Sequence, residues 1–243
     1  MAVTDNKTAY LDLFQSYLDS MPLEQAARRH VGNPKRYEEI GAIERAILEK
    51  YGLEDGQYVI DVGCGSGRLT RCLTDFAQLK YLGIDIVPDL VKLCRETFRD
   101  DWQFEVADDF KIPEEDNSAD FVVAFSLFTH LLHEECYEYL KEFHRVTKPN
   151  GKIIFSFLDY RVPSHRSIFM SNVRDFRARK QLLTYMGLHA IEFFSNSLGM
   201  KITDIADGDD DMVQFTEPQT LRDGTVLQGS KTLGQSVCVL QKT

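Results

Sequence analysis

"VIDVGCGSGRLT", residues 59–70, decides the reading of this chain. An apolar run ends on an acid, Asp61, and glycine then takes alternate positions at Gly63, Gly65 and Gly67. Glycine is costly where a plain strand or helix would serve, so this spacing marks a backbone that turns tightly or is closely approached. A strand, a glycine loop and a helix in that order form the ligand-facing corner of a nucleotide-type sheet. Free N–H groups at the start of the helix meet the ligand there.

Outward from the loop, short apolar runs alternate with helical patterns. "QYVIDV" (57–62), "KYLGIDI" (80–86), "WQFEVA" (102–107), "ADFVVAFSL" (119–127) and "GKIIFSFL" (151–158) read as buried strands bounded by Gly, Pro, Asp or Asn. Between them "RLTRCLTDFA", "DLVKLCRETFRD" and "ECYEYLKEFHRV" read as helices. In the last of these, Cys136, Leu140 and Phe143 share one face. The alternation predicts an α/β fold, a doubly wound and mostly parallel sheet with right-handed crossovers. Residues 1–50 form a helical preamble, with "AYLDLFQSYLDSM" and "RYEEIGAIERAILEKYG" as its helices. Residues 51–160 form the core. Residues 161–243 supply a helical insert and the late strands "MKITDIAD" and "QSVCVLQK", with "MVQFTEP" and "GTVLQGSK" as an antiparallel pair between them.

Composition narrows the partners. The chain has 243 residues, 43% hydrophobic and 27% charged, enough for one sizeable core. Its 28 Lys and Arg against 38 Asp and Glu give a net charge of −10, the wrong sign for gripping a phosphate backbone, so nucleic acid is not expected as a partner. The basic run "RDFRARK" (174–180) reads as the solvated face of a helix. No apolar stretch is long enough to span a membrane, and the N-terminal residues do not read as a signal peptide. Five scattered cysteines without a CxxC pair fit a reducing, cytoplasmic setting, with neither a disulfide framework nor a zinc site. The acid run "DGDDDM" (207–212) reads as a solvated turn, so no metal is expected.

Acids at three successive strand ends sharpen the ligand. Asp85 ends the second strand, where one carboxylate can accept both hydroxyls of a ribose. Asp108 follows the third strand, in position to accept from the exocyclic amine of adenine. "VIDVGCGSGRLT", "YLGIDIVPDLV", "WQFEVADDFKIP", "ADFVVAFSLFTHL" and "EFHRVTKPNGKIIFSF", in this order over 57–158, resemble the class I S-adenosylmethionine-dependent methyltransferases of small-molecule type. The resemblance implies a Rossmann-like seven-stranded sheet with an antiparallel last strand ("QSVCVL"), a helical N-terminal lid, and S-adenosyl-L-methionine as cofactor. By the same resemblance Asp61, Gly63 and Gly65 pass the amino-acid part of the cofactor. Asp85 holds the ribose, Ile86 packs on the adenine and Asp108 binds its amine, with Asp109 or Phe110 beside the ring. Ser126, Leu127 and Phe128 lie by the sulfonium. The fourth-strand loop "AFSLF" lacks the N/D-P-P-Y pattern of enzymes acting on amide or base nitrogens.

Methyl transfer needs alignment and exclusion of water, and a hydroxyl acceptor also needs a base. His130 and His133 in "SLFTHLLHEE" follow the fourth strand, with Thr129 as a helix cap, and His165 follows the fifth; these are the candidate bases. Asp159 and Tyr160 stand at the same edge. His30 belongs to the N-terminal lid, and His144 and His189 lie on helices away from the strand ends. "AARRHVGNPKRYEEIG" resembles the lead-in of small-molecule methyltransferases that closes over the cofactor, with Tyr10, Tyr17, Arg28, Arg29 and Tyr37 either lining that closure or packing helices on the sheet. The expected activity is methyl transfer to a small molecule, foremost to a hydroxyl of a sugar or secondary metabolite. Nitrogen or carboxyl acceptors, a nicotinamide-dependent reductase and a non-catalytic sensor are the alternatives. The sequence leaves the oligomeric state open.

Overall fold

Strand β1 (Tyr58–Val62), which carries Asp61, lies near the middle of a seven-stranded sheet in a computed structural model that describes residues 6–107, 109–175 and 183–243. Ahead of it come α1 (Asn6–Leu18), α2 (Leu23–His30), a 3-10 turn at Pro34–Arg36, and α3 (Tyr37–Lys50). After it the chain alternates through α4 (Arg68–Cys72), β2 (Lys80–Asp85), α5 (Pro88–Thr97), β3 (Gln103–Val106), β4 (Ala119–Ala124), α6 (His133–Val146) and β5 (Thr147–Phe157). Helices α7 (Pro163–Asp175) and α8 (Leu188–Ser197) precede β6 (Met200–Ala206), β7 (Val213–Thr220), β8 (Val226–Lys231) and β9 (Ser236–Lys242).

The sheet order is β3-β2-β1-β4-β5-β9-β6, and β7 with β8 forms a separate antiparallel ribbon. Strands β1 to β5 are parallel; β9 runs antiparallel to both of its neighbours. This is the Rossmann-like, mostly parallel sheet with an antiparallel last strand. Asp61 stands opposite Gly83 of β2 and Val123 of β4, so β1 sits where the strand order reverses. The crevice at the carboxyl ends of β1 and β4 is therefore the place for a ligand.

Alternation along the strands divides the interior. Val59, Tyr81, Phe121 and Val123 face one layer with Ile43, Ile47 and Leu48 of α3, Leu69 of α4 and Val91 of α5. Ile60, Leu82, Val122 and Phe155 face the other, with Leu140 and Phe143 of α6 and Ile191 and Phe194 of α8. Helices on both faces explain why these strands read as continuous apolar runs. A third cluster joins Phe14 of α1 and Ala26 and Ala27 of α2 to Val87 and Leu90 at the start of α5, which seats the N-terminal helices beside the crevice.

Three local expectations are corrected. The helix read over 68–77 ends at Cys72: Leu73 and Phe76 N–H donate three residues back, to Thr70 O and Leu73 O, and the Asp55 carboxylate takes the N–H of Ala77 and Gln78. The preamble holds a further helix, α2, built from "LEQAARRH". Thr129 does not cap the next helix; its hydroxyl donates to Ser126 O, while Glu135 Oε2 accepts the Leu132 N–H ahead of α6. Most of the basic run 174–180 lies outside the described residues.

Candidate active site

The loop after β1 is tied to β2 by two donors, Gly63 N–H and Cys64 N–H, both to Ile84 O at 2.7 and 3.0 Å. Gly63 lines a cavity of about 390 Å³ at the carboxyl ends of the strands. The other two glycines answer a different demand. At Gly65 (φ 55°) an added Cβ would fall 2.5 Å from Val31 Cγ1, and at Gly67 (φ 77°) 2.3 Å from the Phe98 ring. One glycine in the motif thus faces the cavity, while two let the N-terminal segment and the end of α5 close on the loop.

Asp85 is buried at the end of β2 with its carboxylate fixed by backbone: Oδ2 accepts from Gly65 N–H and Oδ1 from Val87 N–H, both at 2.9 Å. A carboxylate has about four lone-pair sites, so one per oxygen remains for a ligand diol. Burial pushes this carboxyl up to about 6 against the pull of those N–H groups. Asp61, also buried, accepts from the Tyr81 hydroxyl at 2.7 Å, and Tyr81 shares a 2.7 Å contact with Thr70. Burial lifts the Asp61 carboxyl to about 7, and the nearby Glu44 and Asp85 charges push the same way. Arg68 also lines the cavity; it is paired with the buried Glu44 carboxylate and donates from Nη1 to Val31 O at 2.9 Å. Two acids and an arginine around a glycine loop suit a ligand that carries a diol, an ammonium and a carboxylate.

The loop after β4 forms the facing edge. Ser126 sits at φ 63°, unfavourable for a side-chain-bearing residue, and is held by a network. Its N–H donates to Ser156 Oγ at 2.6 Å, Ser156 donates to Gln235 Oε1 at 2.7 Å, and Gln235 Nε2 returns to Ser126 Oγ at 3.0 Å. Ser126, Leu127 and Gln235 line the cavity, as do Ile86 and Phe110. Phe110, at φ 63°, packs edge-on to Tyr139 at 5.0 Å. Phe128 turns into the core beside Phe143. Asp109 is exposed and accepts from Lys111 N–H, away from the cavity. Asp108 lies outside the described residues.

The three candidate bases separate. His130 lines the cavity, and burial depresses its imidazole to about 4, so it is neutral at neutral pH. His133 is at the exposed start of α6, with Nε2 3.1 Å from Tyr185 O, and does not line the cavity. His165 is fully buried in a backbone cage: Asp159 N–H donates to Nδ1 at 3.0 Å, and Nε2 lies 3.2 Å from Gly234 O. With both nitrogens engaged and no place on the cavity wall, His165 is a fold element and leaves the catalytic set. Asp159 is bound to Arg161 by a 2.8 Å ion pair, and Tyr160 stacks on Tyr185 at 4.6 Å.

Sequence reading passed over His30. It is 9% exposed, lines the cavity, and sits 4.0 Å from the Tyr10 ring and 5.0 Å from Phe14. Neither ring nitrogen has a hydrogen-bond partner among the described residues. Each such buried atom costs about 1–3 kcal/mol. Of the lid candidates, Tyr10 lines the cavity. Tyr37 bonds Ser66, with Arg28 over its ring, and Arg29 lies over Tyr17. The signal that could have found His30 is its place on α2: the Ala26, Ala27 and His30 face is buried while Glu24, Gln25 and Arg29 are exposed. The acid run 207–212 is a turn docked on α7, with Asp207 paired to Arg161 and Asp209 accepting from Ser164 N–H. Among the described residues no group of three or more His, Cys, Asp or Glu is arranged to hold a metal ion, and no helix is long and apolar enough to cross a membrane.

Residues 60–155 match a family model described as a methyltransferase domain. A sterol 4-C-methyltransferase of Caenorhabditis elegans is 30% identical over 125 residues, 49% of this chain and 36% of that protein, so the chain spans little more than a third of that relative's length. Among solved structures, magnesium protoporphyrin IX methyltransferase of Synechocystis PCC 6803, with S-adenosylhomocysteine bound, has a TM-score of 0.64 at 16% identity, over 98% of this chain and all of that one (100%). A chain from the complex of the Haloferax volcanii Trm112 methyltransferase activator with a methyltransferase has a TM-score of 0.65 at 21% identity, covering 96% of both. Residues 60–155 are thus similar to a methyltransferase domain, and the likeness to the two solved structures is one of fold.

Proposed function

We propose that this domain transfers a methyl group from S-adenosylmethionine to a hydroxyl of a small acceptor with an apolar body. The cofactor supplies a methyl carbon on a positively charged sulfur, ready for in-line displacement. Asp85 is poised to hold the ribose hydroxyls, and Asp61 and Arg68 to hold the amino-acid end. Gly63 leaves room for it, and Ile86 and Phe110 are placed to cover the adenine, with Asp108 as a further candidate for its amine. Ser126 and Leu127, fixed through Ser156 and Gln235, shape the wall near the reacting carbon. Residues 1–50 serve in this reading as the lid and 161–243 as the acceptor side.

The observation that carries the reading is the place of His130, an imidazole on the wall of the cavity that also holds Asp61, Asp85 and Gly63. A hydroxyl acceptor bound beside it would give its proton to that imidazole, and the bound cofactor would supply the methyl group that the acceptor oxygen takes up. Leu131, Leu158, Ile168 and Leu183 on the same wall favour an apolar acceptor body over a sugar. Nitrogen and carboxyl acceptors demand less of a base and are the arms of the test. Five free cysteines and the acidic net charge support a cytoplasmic enzyme acting on a small molecule, with neither nucleic acid nor membrane as partner.

The test is release of S-adenosylhomocysteine against pooled phenols, aliphatic alcohols, amines and carboxylic acids. Turnover in a hydroxyl pool, reduced about 10²- to 10⁴-fold in His130→Ala at unchanged S-adenosylhomocysteine affinity, is expected. Turnover confined to amines or acids overturns the hydroxyl assignment. Silence in every pool with cofactor affinity intact favours a sensor.

A further inference from the structure

Two imidazoles from different parts of the chain share the cavity wall. His130 comes from the loop after β4 and His30 from the last turn of α2, and the Tyr10 ring of α1 lies beside both, 4.0 Å from His30 and 5.8 Å from His130. The second histidine is the unexplained one. It is enclosed by Tyr10, Phe14 and Tyr17, yet both of its nitrogens lack a partner among the described residues. Natural cores seldom keep such a group unless a ligand or a function accounts for it. The fully caged His165 shows how this chain treats a histidine that serves the fold.

We propose that His30 is a specificity-determining residue that holds a second oxygen function of the acceptor, beside the hydroxyl whose proton passes to His130. The proposal rests on the methyl-transfer reading and narrows its substrate class. An apolar molecule with two neighbouring oxygen groups, such as an aromatic or alicyclic diol or a hydroxyketone, meets one imidazole with each oxygen. A neutral imidazole offers one N–H donor and one nitrogen acceptor, so His30 serves a hydroxyl or a carbonyl equally. Burial depresses its ring to about 4, with the facing His130 pushing the same way, so the ring is neutral at neutral pH. Because His30 belongs to α2, the acceptor would also tie the N-terminal helices to the crevice.

The experiment compares phenol with catechol, and cyclohexanol with cyclohexanediol, in the wild type and in His30→Leu. Melting temperature and S-adenosylhomocysteine affinity are measured on both proteins. The wild type is expected to favour each two-oxygen member by about tenfold or more in kcat/KM, the worth of one hydrogen bond to a site built for it. His30→Leu is expected to lose that preference while keeping the mono-oxygen rates and the S-adenosylhomocysteine affinity within about threefold, and to melt no lower than the wild type. An unchanged preference in His30→Leu overturns the proposal. So does a lower melting temperature with a parallel loss of cofactor affinity, which would make His30 a packing residue. If the wild type is silent with all four acceptors, the hydroxyl reading fails, and His30 is judged by calorimetric binding of phenol and catechol to the S-adenosylhomocysteine complex. A catechol preference lost in His30→Leu then upholds the contact, and no preference, or one the variant keeps, removes it.

Discussion

The two walls of the cavity are built on different terms. On the sheet wall every polar group named here is already engaged by protein: Asp85 by the N–H groups of Gly65 and Val87, Asp61 by Tyr81, and Ser126 by Ser156 and Gln235. On the helical wall His30 sits among aromatic rings with neither nitrogen engaged among the described residues. The parallel ladder fixes the first wall through bonds that exist in the absence of any ligand, so it is preorganised. The second wall gives up stability at a buried polar group without a hydrogen-bond partner among the described residues. A buried histidine is therefore informative by its partners rather than by its burial: His165 and His30 are both buried, and their hydrogen bonds separate them.

The strongest blow to this contrast falls on the sheet wall. Asp85→Asn is expected to weaken S-adenosylhomocysteine binding by about 10²- to 10³-fold, the loss of two charge-assisted hydrogen bonds. The same carboxyls set a pH dependence. With the Asp61 carboxyl raised to about 7 and that of Asp85 to about 6, both carry protons in the free protein on the acid side of neutrality. In the proposed reading binding requires them ionised, so affinity is expected to fall as pH drops below about 7, by up to about tenfold per unit for each group. Calorimetry between pH 5 and pH 8 (roughly the span of these two titrations) reads the slope, which should lose one proton's worth in Asp85→Asn. A pH-independent affinity would mean that neither acid meets the ligand.

A middle-sized effect tests the other side of the contrast. His165→Ala removes two hydrogen bonds and the ring against which Gly208 packs, where an added Cβ would fall 2.3 Å from Nε2. The expected cost is about 2–4 kcal/mol of unfolding free energy in denaturant titration, with kcat of the folded protein changed less than about threefold. A large fall in kcat with stability intact would return His165 to the catalytic set. The smallest effect belongs to the network behind Ser126: Ser156→Ala leaves the Ser126 N–H without its acceptor. A roughly five- to tenfold decrease in turnover is expected, with cofactor affinity nearly unchanged. No decrease would show that the left-handed turn at Ser126 holds without its hydrogen bond.

Much of the sheet wall was legible in the sequence because its signals are local. Strand runs at 57–62, 80–86, 102–107 and 119–127, a glycine loop and an acid at a strand end are contiguous patterns, and parallel pairing turns them into a crevice by rules that hold for any such sheet. The motif's glycines were less transparent. Gly65 and Gly67 are explained by Val31 and Phe98, residues whose approach no local pattern announces. The helix over 68–77 was overread because the competitor for its amides, Asp55, stands before the strand that precedes it.

The sequence alone determined the α/β class, the order of the core strands and of the helices between them, the position of the glycine loop and the acid that ends β2. These follow from hydrophobic period, turn residues and the handedness of crossovers, all of which act over a few residues. Tertiary structure decided which histidines line the cavity. Three histidines after strand ends were all candidates, with His130 foremost, but a side chain's partners come from across the fold: Gly234 for His165, Tyr185 for His133, and Tyr10 of α1 beside both His130 and His30. Contacts made at long sequence separation leave no periodic trace, and so the cavity histidine with neither nitrogen partnered among the described residues, His30, became visible only once the helices were packed against the sheet.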